Sequence, residues 1–303
     1  MKLEAHAKVN LFLRITGRRP DGYHLLRTVF WPVSLYDTIE IERTGTPGIR
    51  LSCSDPSLEN ENNLALKAVQ ALRSAAAAGT VDGLSIRIEK RIPMGAGLGG
   101  GSADAAAVLK GVNDLCGLGL SDEELCGIGV KTGADVPSLL CGRPCIGEGI
   151  GDVLSPLAHF PKLPMAFWKP AESYSTPEMY RRFDLLPEKD RPDPYMEEEK
   201  ERTLLSGLVS GKVSDIAAGL YNVFESVVPD PERLIRRKTL MLEAGFSGVL
   251  MTGSGSALFG IAENEAALSS AAGRLIRLAG GDGTVLWQPE TFAEMSGKKG
   301  GCS

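Results

Sequence analysis

The amino-acid sequence predicts an α+β protein with two domains. Strand patterns, in which apolar and polar residues alternate, recur between residues 3 and 53, and a helix pattern follows a glycine-rich loop at 95–101. Strands and helices then mix without the βα repetition of a doubly wound sheet. A length of 303 residues suits two domains of ordinary size. We expect domains over 1–160 and 161–290 and a disordered tail over 291–303.

The composition is typical of a water-soluble globular protein, with 43% hydrophobic and 23% charged residues. A formal net charge of −5 gives no general attraction to nucleic acid or to an anionic membrane, so we expect neither as a partner. The sequence shows no signal-peptide pattern and no apolar stretch near the ~20 residues of a membrane-spanning helix. We therefore expect a cytoplasmic protein.

The cysteines indicate neither a zinc site nor a disulfide framework. There are six, with no C-x-x-C pair and only three histidines in the chain. The spacings of structural zinc sites are absent. Reduced thiols, acting as small buried hydrophobes, are what we expect of a cytoplasmic protein.

The first strand is predicted over residues 3–15. Its apolar residues alternate strictly and share one face, which places His6, Lys8, Asn10 and Arg14 on the other. A Pro-x-Gly pattern predicts a turn after this strand. That turn lies at 18–22, further strands are predicted at 37–42, 49–53 and 84–89, and a helix is predicted from Asn62-Asn63 to about Ala78.

The segment from Pro93 to Asp104 is the most informative in the chain. Five glycines fall within seven residues, and an alanine-rich helix pattern follows at once. Glycine permits φ > 0 and a close approach of the backbone to a ligand, and the first N–H groups of the following helix lack intrahelical partners. A loop of this kind before a helix binds anions, most often phosphate.

Two common phosphate-binding motifs do not fit this loop. A P-loop has a lysine where Gly101 stands. A Rossmann fingerprint is formally matched by Gly95, Gly97 and Gly100, but it should follow a buried parallel strand, which is a nearly continuous apolar run. The strand at 84–89 alternates instead, which indicates a half-solvated strand. A flexible connector is a third alternative, which the flanking strand and helix disfavour.

The remaining elements follow from capping and periodicity. Ser121 and Glu124 form a capping box for a helix that ends near Gly133 and leaves Asp135 just beyond it. Glycine, proline and charge patterns predict a hairpin at 142–153, a linker at 157–163 and a surface loop at 187–202. Helices are predicted at 203–211, 213–221, 231–244 and 265–278, and strands at 165–168, 248–251, 257–261 and 284–288.

Several segments carry a family resemblance, which extends over residues 5–290. They are the glycine loop 93–104, a second glycine turn at 252–257, the strand and turn within 7–24, and the segments 132–137 and 175–177. They resemble motifs of the GHMP kinases. The resemblance implies a two-domain GHMP kinase fold, with a ribosomal-protein-S5-domain-2-like N-terminal domain and a ferredoxin-like C-terminal domain. It also implies a small-molecule kinase that uses ATP and Mg²⁺, as a monomer or homodimer.

The resemblance also implies the catalytic pair. Asp135 matches the family's general base, which accepts the proton of the acceptor hydroxyl, and Lys8 matches the lysine that assists it. A neighbouring cation keeps such a carboxylate ionised. On the residues alone, Asp135 could equally be the N-cap of a helix that begins Val136-Pro137, and Lys8 could be a solvated strand lysine.

The resemblance places ATP on the glycine loop and on three residues nearby. Ser102 is the family position that reaches Mg²⁺. Asn63 matches the family's adenine-contacting asparagine, although it could equally be a helix cap. The implied ATP-binding residues are Pro93, Met94, Gly95, Ala96, Gly97, Leu98, Gly99, Gly100, Gly101, Ser102, Ala103, Asn63, Lys90 and Asp104.

The acceptor is implied by the segments 7–24 and 175–177. They resemble the family members that phosphorylate the 2-hydroxyl of a methylerythritol carrying a diphosphocytidyl group, in the non-mevalonate isoprenoid pathway. Tyr23 and His24 match the residues that stack on cytosine and contact its edge, and Tyr180 matches a second aromatic, a role for which Phe183 competes. Asn10 and Thr176 complete the implied acceptor site.

Three alternatives remain open from the sequence. Another acceptor, such as homoserine or mevalonate, would need no cytosine pocket. A catalytically silent nucleotide-binding protein is disfavoured because both Lys8 and Asp135 are present. An RNA-binding module is disfavoured by the acidic charge balance.

Overall fold

The computed structural model of the chain describes residues 1–77 and 79–287. The described residues form two sheets flanked by helices. The strands are β1 Lys2–Arg18, β2 His24–Arg43, β3 Ile49–Cys53, β4 Leu84–Glu89, β5 Cys145–Glu148, β6 Val153–Pro156, β7 Met165–Lys169, β8 Tyr221–Asn222, β9 Gly248–Met251, β10 Leu258–Ile261 and β11 Thr284–Trp287. The helices are α1 Leu64–Ala75, α2 Gly100–Cys116, α3 Asp122–Thr132, α4 Val136–Cys141, α5 Thr176–Asp184, α6 Pro194–Ser210, α7 Val213–Gly219, α8 Pro231–Ala244 and α9 Glu265–Ala279.

The first sheet is built on the long antiparallel pair β1 and β2. Its strand order is β3-β4-β2-β1-β8, and the β5–β6 hairpin pairs with β2. The predicted alternation of β1 is confirmed as far as Leu11, since Ala5, Ala7, Val9 and Leu11 share one core. A register shift between Asn10 and Phe12 ends it, and Leu13 packs in the other core. The opposite face of β1 is not exposed to solvent throughout, since Lys8 and Asn10 on that face are both buried.

The second sheet has the ferredoxin-like arrangement that the resemblance implies. Its order is β11-β7-β10-β9, and all three pairs are antiparallel. Helices follow β7, and α9 follows β10, which gives the chain order βαββαβ. The α+β fold class is thereby confirmed. The boundary at residue 160 stays a prediction, and β8 of the second half pairs with β1 in the first sheet.

The predicted surface loop at 187–202 is confirmed as far as Asp193 and wrong beyond it. Residues from Pro194 onward belong to α6, which Asp193 caps by accepting a hydrogen bond from the Tyr195 N–H at 3.0 Å. Two acidic residues one turn apart, Glu197 and Glu201, are buried. Their carboxylates accept hydrogen bonds from the Tyr221 hydroxyl at 2.8 Å and from Arg27 Nε at 2.6 Å. Part of this acidic segment therefore makes buried polar contacts and does not face solvent.

Three further expectations concern the cysteines, membrane-spanning helices and the C-terminal tail. Cys53, Cys116, Cys141 and Cys145 are free thiols, as predicted, whereas Cys126 is disulfide-bonded, contrary to prediction. Among the described residues, no helix combines the length and apolar composition needed to cross a bilayer. The predicted tail 291–303 lies outside the described residues.

Candidate active site

A cleft of about 1030 Å³ opens where the loops of the two sheets meet. Nearly all of the residues singled out in the sequence line it, from the first strand, the glycine loop and α5. Ala103 is the exception, because its side chain points into the core of the first domain and is 2% exposed. Residues that are distant in the sequence are therefore brought to one place.

The glycine loop is held between β1 and the turn 252–256. The Lys8 N–H donates to the Leu98 carbonyl at 3.1 Å, and the Ala257 N–H donates to the Ala96 carbonyl at 3.2 Å. Gly97 has a φ of +75°, and a Cβ there would lie 2.2 Å from the Thr252 carbonyl oxygen. Only glycine fits this contact. Two residues later, Gly99 is the N-cap of the 17-residue helix α2. The N-terminus of this helix faces the cleft and is suited to bind an anion.

Lys8 and Asp135 form an ion pair at this end of the cleft. Lys8 Nζ lies 3.3 Å from Asp135 Oδ2 and donates to Asn10 Oδ1 at 2.8 Å. Lys8 is only 4% exposed, so it is not a solvated strand lysine. The Asp135 side chain makes no capping hydrogen bond to α4 and keeps 35% of its surface exposed. Asp135 therefore occupies the N-cap position of α4, as the alternative predicted, but its carboxylate does not cap the helix and lines the cleft instead.

Asn10 is oriented by two hydroxyl groups that the sequence did not single out. Its side-chain N–H donates to Thr28 Oγ1 at 2.8 Å, and that hydroxyl donates to the Phe12 carbonyl at 2.6 Å. The backbone N–H of Asn10 donates to Thr252 Oγ1 at 3.2 Å. Because the amide nitrogen is fixed in this way, the amide oxygen must face Lys8.

Lys90 joins two buried carboxylates beside the glycine loop. Its Nζ donates to Asp37 Oδ2 at 2.5 Å and to Asp104 Oδ2 at 2.7 Å. Asp37 also accepts hydrogen bonds from the backbone N–H groups of Arg91 and Ile92, at 2.5 and 2.8 Å, and so fixes the segment leading into the loop. Sequence reasoning missed Asp37, since its partners lie more than 50 residues away along the chain.

Asp104 is the residue of this cluster whose ionised form is disfavoured. Burial raises its pKa to about 7, against the opposing effect of Lys90 and with a further increase from Asp37. Its Oδ1 has no hydrogen-bond partner among the described residues. For Lys90, burial acts to lower the pKa, but the two carboxylates outweigh it and the pKa is raised.

Asn63 is the N-cap of α1. Its Oδ1 accepts from the Ala65 N–H at 2.9 Å, and its Nδ2 donates to the Leu58 carbonyl at 2.9 Å. The helix-cap alternative is therefore confirmed. Asn63 also lines the cleft, so the remaining hydrogen of its amide and the remaining lone pair stay available for a ligand.

Ser102 lies in the first turn of α2, opposite Gly133, where a Cβ would come within 3.3 Å of the serine Oγ. Among the described residues no group of three His, Cys, Asp or Glu side chains is placed to hold a metal ion. Ser102 and the Asp135 carboxylate line the same cleft. Such a sparse set of oxygen donors suits Mg²⁺ that keeps waters and arrives with phosphates.

Aromatic rings form the opposite end of the cleft. The rings of His24 and Tyr180 stack with centroids 4.5 Å apart, and Tyr180 meets Phe224 edge to face at 4.9 Å. Tyr23 is 62% exposed at the rim. Of the two competing aromatics, Tyr180 lines the cleft, whereas Phe183 packs in the core of the second domain.

Two polar contacts fix the elements that carry these rings. The hydroxyl groups of Thr176 and Ser254 are 2.7 Å apart, which joins α5 to the turn 252–256. His24 Nε2 donates to Asp184 Oδ1 at 2.7 Å. Neither Ser254 nor Asp184 was predicted as a site residue. A histidine and an aspartate 160 residues apart leave no local pattern to detect.

Comparison with known proteins agrees with this geometry. Family models of the GHMP kinases N terminal domain and of the GHMP kinases C terminal match residues 63–143 and 206–280. A 4-diphosphocytidyl-2-C-methyl-D-erythritol kinase of Geobacter sp. (strain M21) is 40% identical to the chain over 284 residues, covering 92% of the chain and 96% of that protein.

Solved structures show the same fold. The crystal structure of a 4-(cytidine 5'-diphospho)-2C-methyl-D-erythritol kinase matches with a TM-score of 0.77 and 35% identity, over 94% of this chain and 97% of that one. A homoserine kinase from Cytophaga hutchinsonii matches with a TM-score of 0.74 over 94% of this chain and 93% of its own. At 18% identity, the latter shares the fold alone.

Gly97→Ala is expected to destabilise the fold by at least about 2 kcal/mol, because the new Cβ meets a backbone carbonyl and the φ value is left-handed. Urea denaturation measures this loss. Gly101→Ala is the matched control: Gly101 is helical, and its Cβ would meet only Leu64 at an ordinary 3.5 Å. Equal stability of the two variants would contradict the tight contact at Gly97.

Asp104→Asn is expected to remove a pH-dependent loss of stability. Since its pKa is raised from 3.8 to about 7, the folded chain binds this proton more tightly than the unfolded chain does. The contribution is complete below the unfolded pKa and is lost as the pH rises through the folded one. The free energy of unfolding of the unaltered chain, relative to the variant, should fall between about pH 4 and about pH 7.

The control for this titration is Asp55→Asn. Asp55 is exposed, and its hydrogen bonds from Ser57 lower its pKa, so its contribution is already complete above the unfolded pKa of 3.8. The corresponding difference for Asp55 should be flat over the same pH range. A flat difference for Asp104 as well would show that its carboxyl is not held protonated.

Proposed function

This chain belongs to the GHMP kinases and, within them, to the family of 4-diphosphocytidyl-2-C-methyl-D-erythritol kinases, and we propose that it transfers the γ-phosphate of ATP to the 2-hydroxyl of 4-diphosphocytidyl-2-C-methyl-D-erythritol. The observation that carries the proposal is one cleft with three parts. A helix N-terminus for phosphate, a Lys8–Asp135 pair and a group of aromatic rings all line it.

The donor half of the cleft is the glycine loop with the first turn of α2. Its backbone N–H groups and the positive end of the α2 dipole hold the ATP phosphates. Asn63, Lys90 and Asp104 line the space beyond the loop, where adenine would lie. The segment from Pro93 to Leu98 is held against β1 and the turn 252–256, so the phosphate site is formed before ATP binds.

The acceptor hydroxyl is activated by Asp135. As this oxygen attacks the γ-phosphorus, its proton passes to the Asp135 carboxylate, and the bond from the phosphorus to the β-phosphate oxygen breaks. Lys8, whose Nζ lies 3.3 Å from Asp135 Oδ2, stabilises negative charge on the attacking oxygen. Asn10 holds the Lys8 ammonium in place and reaches the methylerythritol part of the acceptor.

Mg²⁺ would be held by Ser102 together with the ATP phosphates, and its chemistry is to neutralise the charge on the transferred group. The cytosine ring would stack between Tyr23 and Tyr180, with His24 at its edge. Thr176, which is joined to Ser254, supports the same end of the acceptor. We propose further that the protein acts in the cytoplasm as a monomer or homodimer, with no nucleic-acid or membrane partner.

Asp135→Asn is expected to lower kcat by about 10²–10⁴-fold, because the amide cannot accept the hydroxyl proton. The KM for ATP should stay close to that of the unaltered chain, since the substitution leaves the glycine loop and the first turn of α2, where the phosphates are proposed to bind, unchanged. Lys8→Met should also lower kcat. An ADP-release assay coupled to NADH oxidation measures both constants.

The control is Asp114→Asn, an exposed carboxylate in the last turn of α2, the helix whose N-terminus faces the cleft. It should have the kinetics of the unaltered chain. If Asp135→Asn kept most of its rate while Asp114→Asn behaved normally, the assignment of the base would be wrong.

A competition experiment tests the acceptor. CMP is expected to inhibit competitively against the cytidylated acceptor and not against ATP, because it would occupy only the aromatic end of the cleft. Homoserine and mevalonate should give no turnover. Turnover with either of them, together with no turnover of the cytidylated alcohol, would overturn the proposed substrate and leave a kinase of another acceptor.

A further inference from the structure

One carboxylate at the aromatic end of the cleft has no part in the mechanism above. Asp184 is the last residue of α5, and its two oxygens have different partners. Oδ1 accepts from His24 Nε2 at 2.7 Å, and Oδ2 lies 3.3 Å from Arg18 Nη1. Because Arg18 ends β1 and His24 begins β2, Asp184 ties α5 to both ends of the turn that carries Tyr23.

The His24 ring is held on more than one side. Its side chain is 9% exposed, and one face lies on Tyr180 with an angle of 15° between the ring planes. Tyr180 is itself buttressed by the edge of Phe224. Rotation of the imidazole would break the bond to Asp184, so the ring has one orientation and His24 still lines the cleft.

The bond to Asp184 also determines which ring nitrogen carries hydrogen. An ionised carboxylate only accepts hydrogen bonds, so Nε2 must be the protonated nitrogen. In the neutral ring, Nδ1 is then an acceptor. Within residues 1–77 and 79–287, the bond to Asp184 is the only hydrogen bond of the His24 ring. Nδ1 is therefore free to contact a ligand.

An acceptor nitrogen at this position distinguishes the two pyrimidines. Cytosine carries an exocyclic amine, which donates hydrogen bonds, where uracil carries a carbonyl oxygen, which only accepts them. The Nδ1 lone pair is attracted to the amine and repelled by the oxygen. A site built for one hydrogen-bond pattern rejects the analogue that leaves its polar group unpaired.

We propose that Asp184 is a positioning residue that fixes the tautomer and orientation of His24 and thereby selects a cytidine over a uridine acceptor. The proposal rests on the proposed function and extends it by a residue that acts through His24. It also gives the bond between β2 and α5 a role in specificity.

The experiment compares the cytidylated acceptor with its uridylated analogue in the full chain. Asp184→Asn keeps the shape of the side chain, but its amide can donate to Nε2 and so permit the tautomer with hydrogen on Nδ1, which suits uracil. The ratio of kcat/KM for cytidine to that for uridine is expected to fall about tenfold, the ratio that a single hydrogen bond carries. The change should lie in KM for the acceptor, with kcat and KM for ATP nearly unaltered.

Two further variants separate selection from folding. Asp184→Glu restores a carboxylate and should recover part of the preference for cytidine. Glu178→Gln removes another carboxylate of α5, which pairs with Arg181 and Arg182 and not with His24 in the part of the chain that the structure describes, and should keep the full preference. Thermal unfolding of each variant reports on the fold independently.

Three outcomes would overturn the proposal. They are an unchanged ratio in Asp184→Asn, an equal fall in Glu178→Gln, and a parallel loss of kcat on both acceptors without recovery in Asp184→Glu. Failure of the unaltered chain to phosphorylate the cytidylated acceptor would overturn the proposed function itself. That result is visible before any variant is made, so the two failures are distinguishable.

Discussion

The contact between the glycine loop and two other backbones is the constraint on which the site depends. The loop accepts hydrogen bonds from β1 through Leu98 and from the second domain through Ala96. At Gly97 the backbones are too close for any side chain. The same contacts fix both the N-terminus of α2 and the strand that carries Lys8. The proposed phosphate site and the Lys8–Asp135 pair therefore cannot move independently.

The electrostatics of the cleft depend on local ion pairs and not on the net charge of the chain. The chain is acidic overall, at −5, and yet it presents an anion site. Lys8 and Lys90 are both nearly buried, and each is matched to carboxylates at 2.5–3.3 Å. Burying such groups costs several kcal/mol unless partners compensate. At Asp104 burial outweighs the attraction of Lys90, and with a smaller contribution from Asp37 it raises the pKa of the carboxyl.

The sequence predicted those features that depend on neighbouring residues. Alternation in β1 placed Lys8 and Asn10 on one face, and the glycine pattern placed a close-packed loop directly before α2. What failed depended on long-range contacts. Glu197 and Glu201 have the composition of a solvated loop, and only Tyr221 and Arg27, on other elements, make their burial possible.

The same distinction applies within the site. Motifs identified residues that would touch a ligand, since these lie in short segments with a family pattern. They did not identify Asp37, Thr28 or Asp184, which touch other site residues across 18 to 160 positions of the chain. A partner at such a distance can change position along the sequence without altering any local spacing, so its role follows only from the folded geometry.

The two halves of the cleft are coupled through one hydroxyl group. Thr252 Oγ1 accepts from the backbone of Asn10 and donates to the Gly97 carbonyl at 3.3 Å, so it joins β1, the glycine loop and the second sheet. The next residues of its turn reach Thr176 and, through α5, the aromatic rings. The proposed base and phosphate site lie beside the first sheet, whereas part of the proposed acceptor pocket is carried by α5. The Thr252 turn therefore helps to set how a bound acceptor would be placed relative to Asp135.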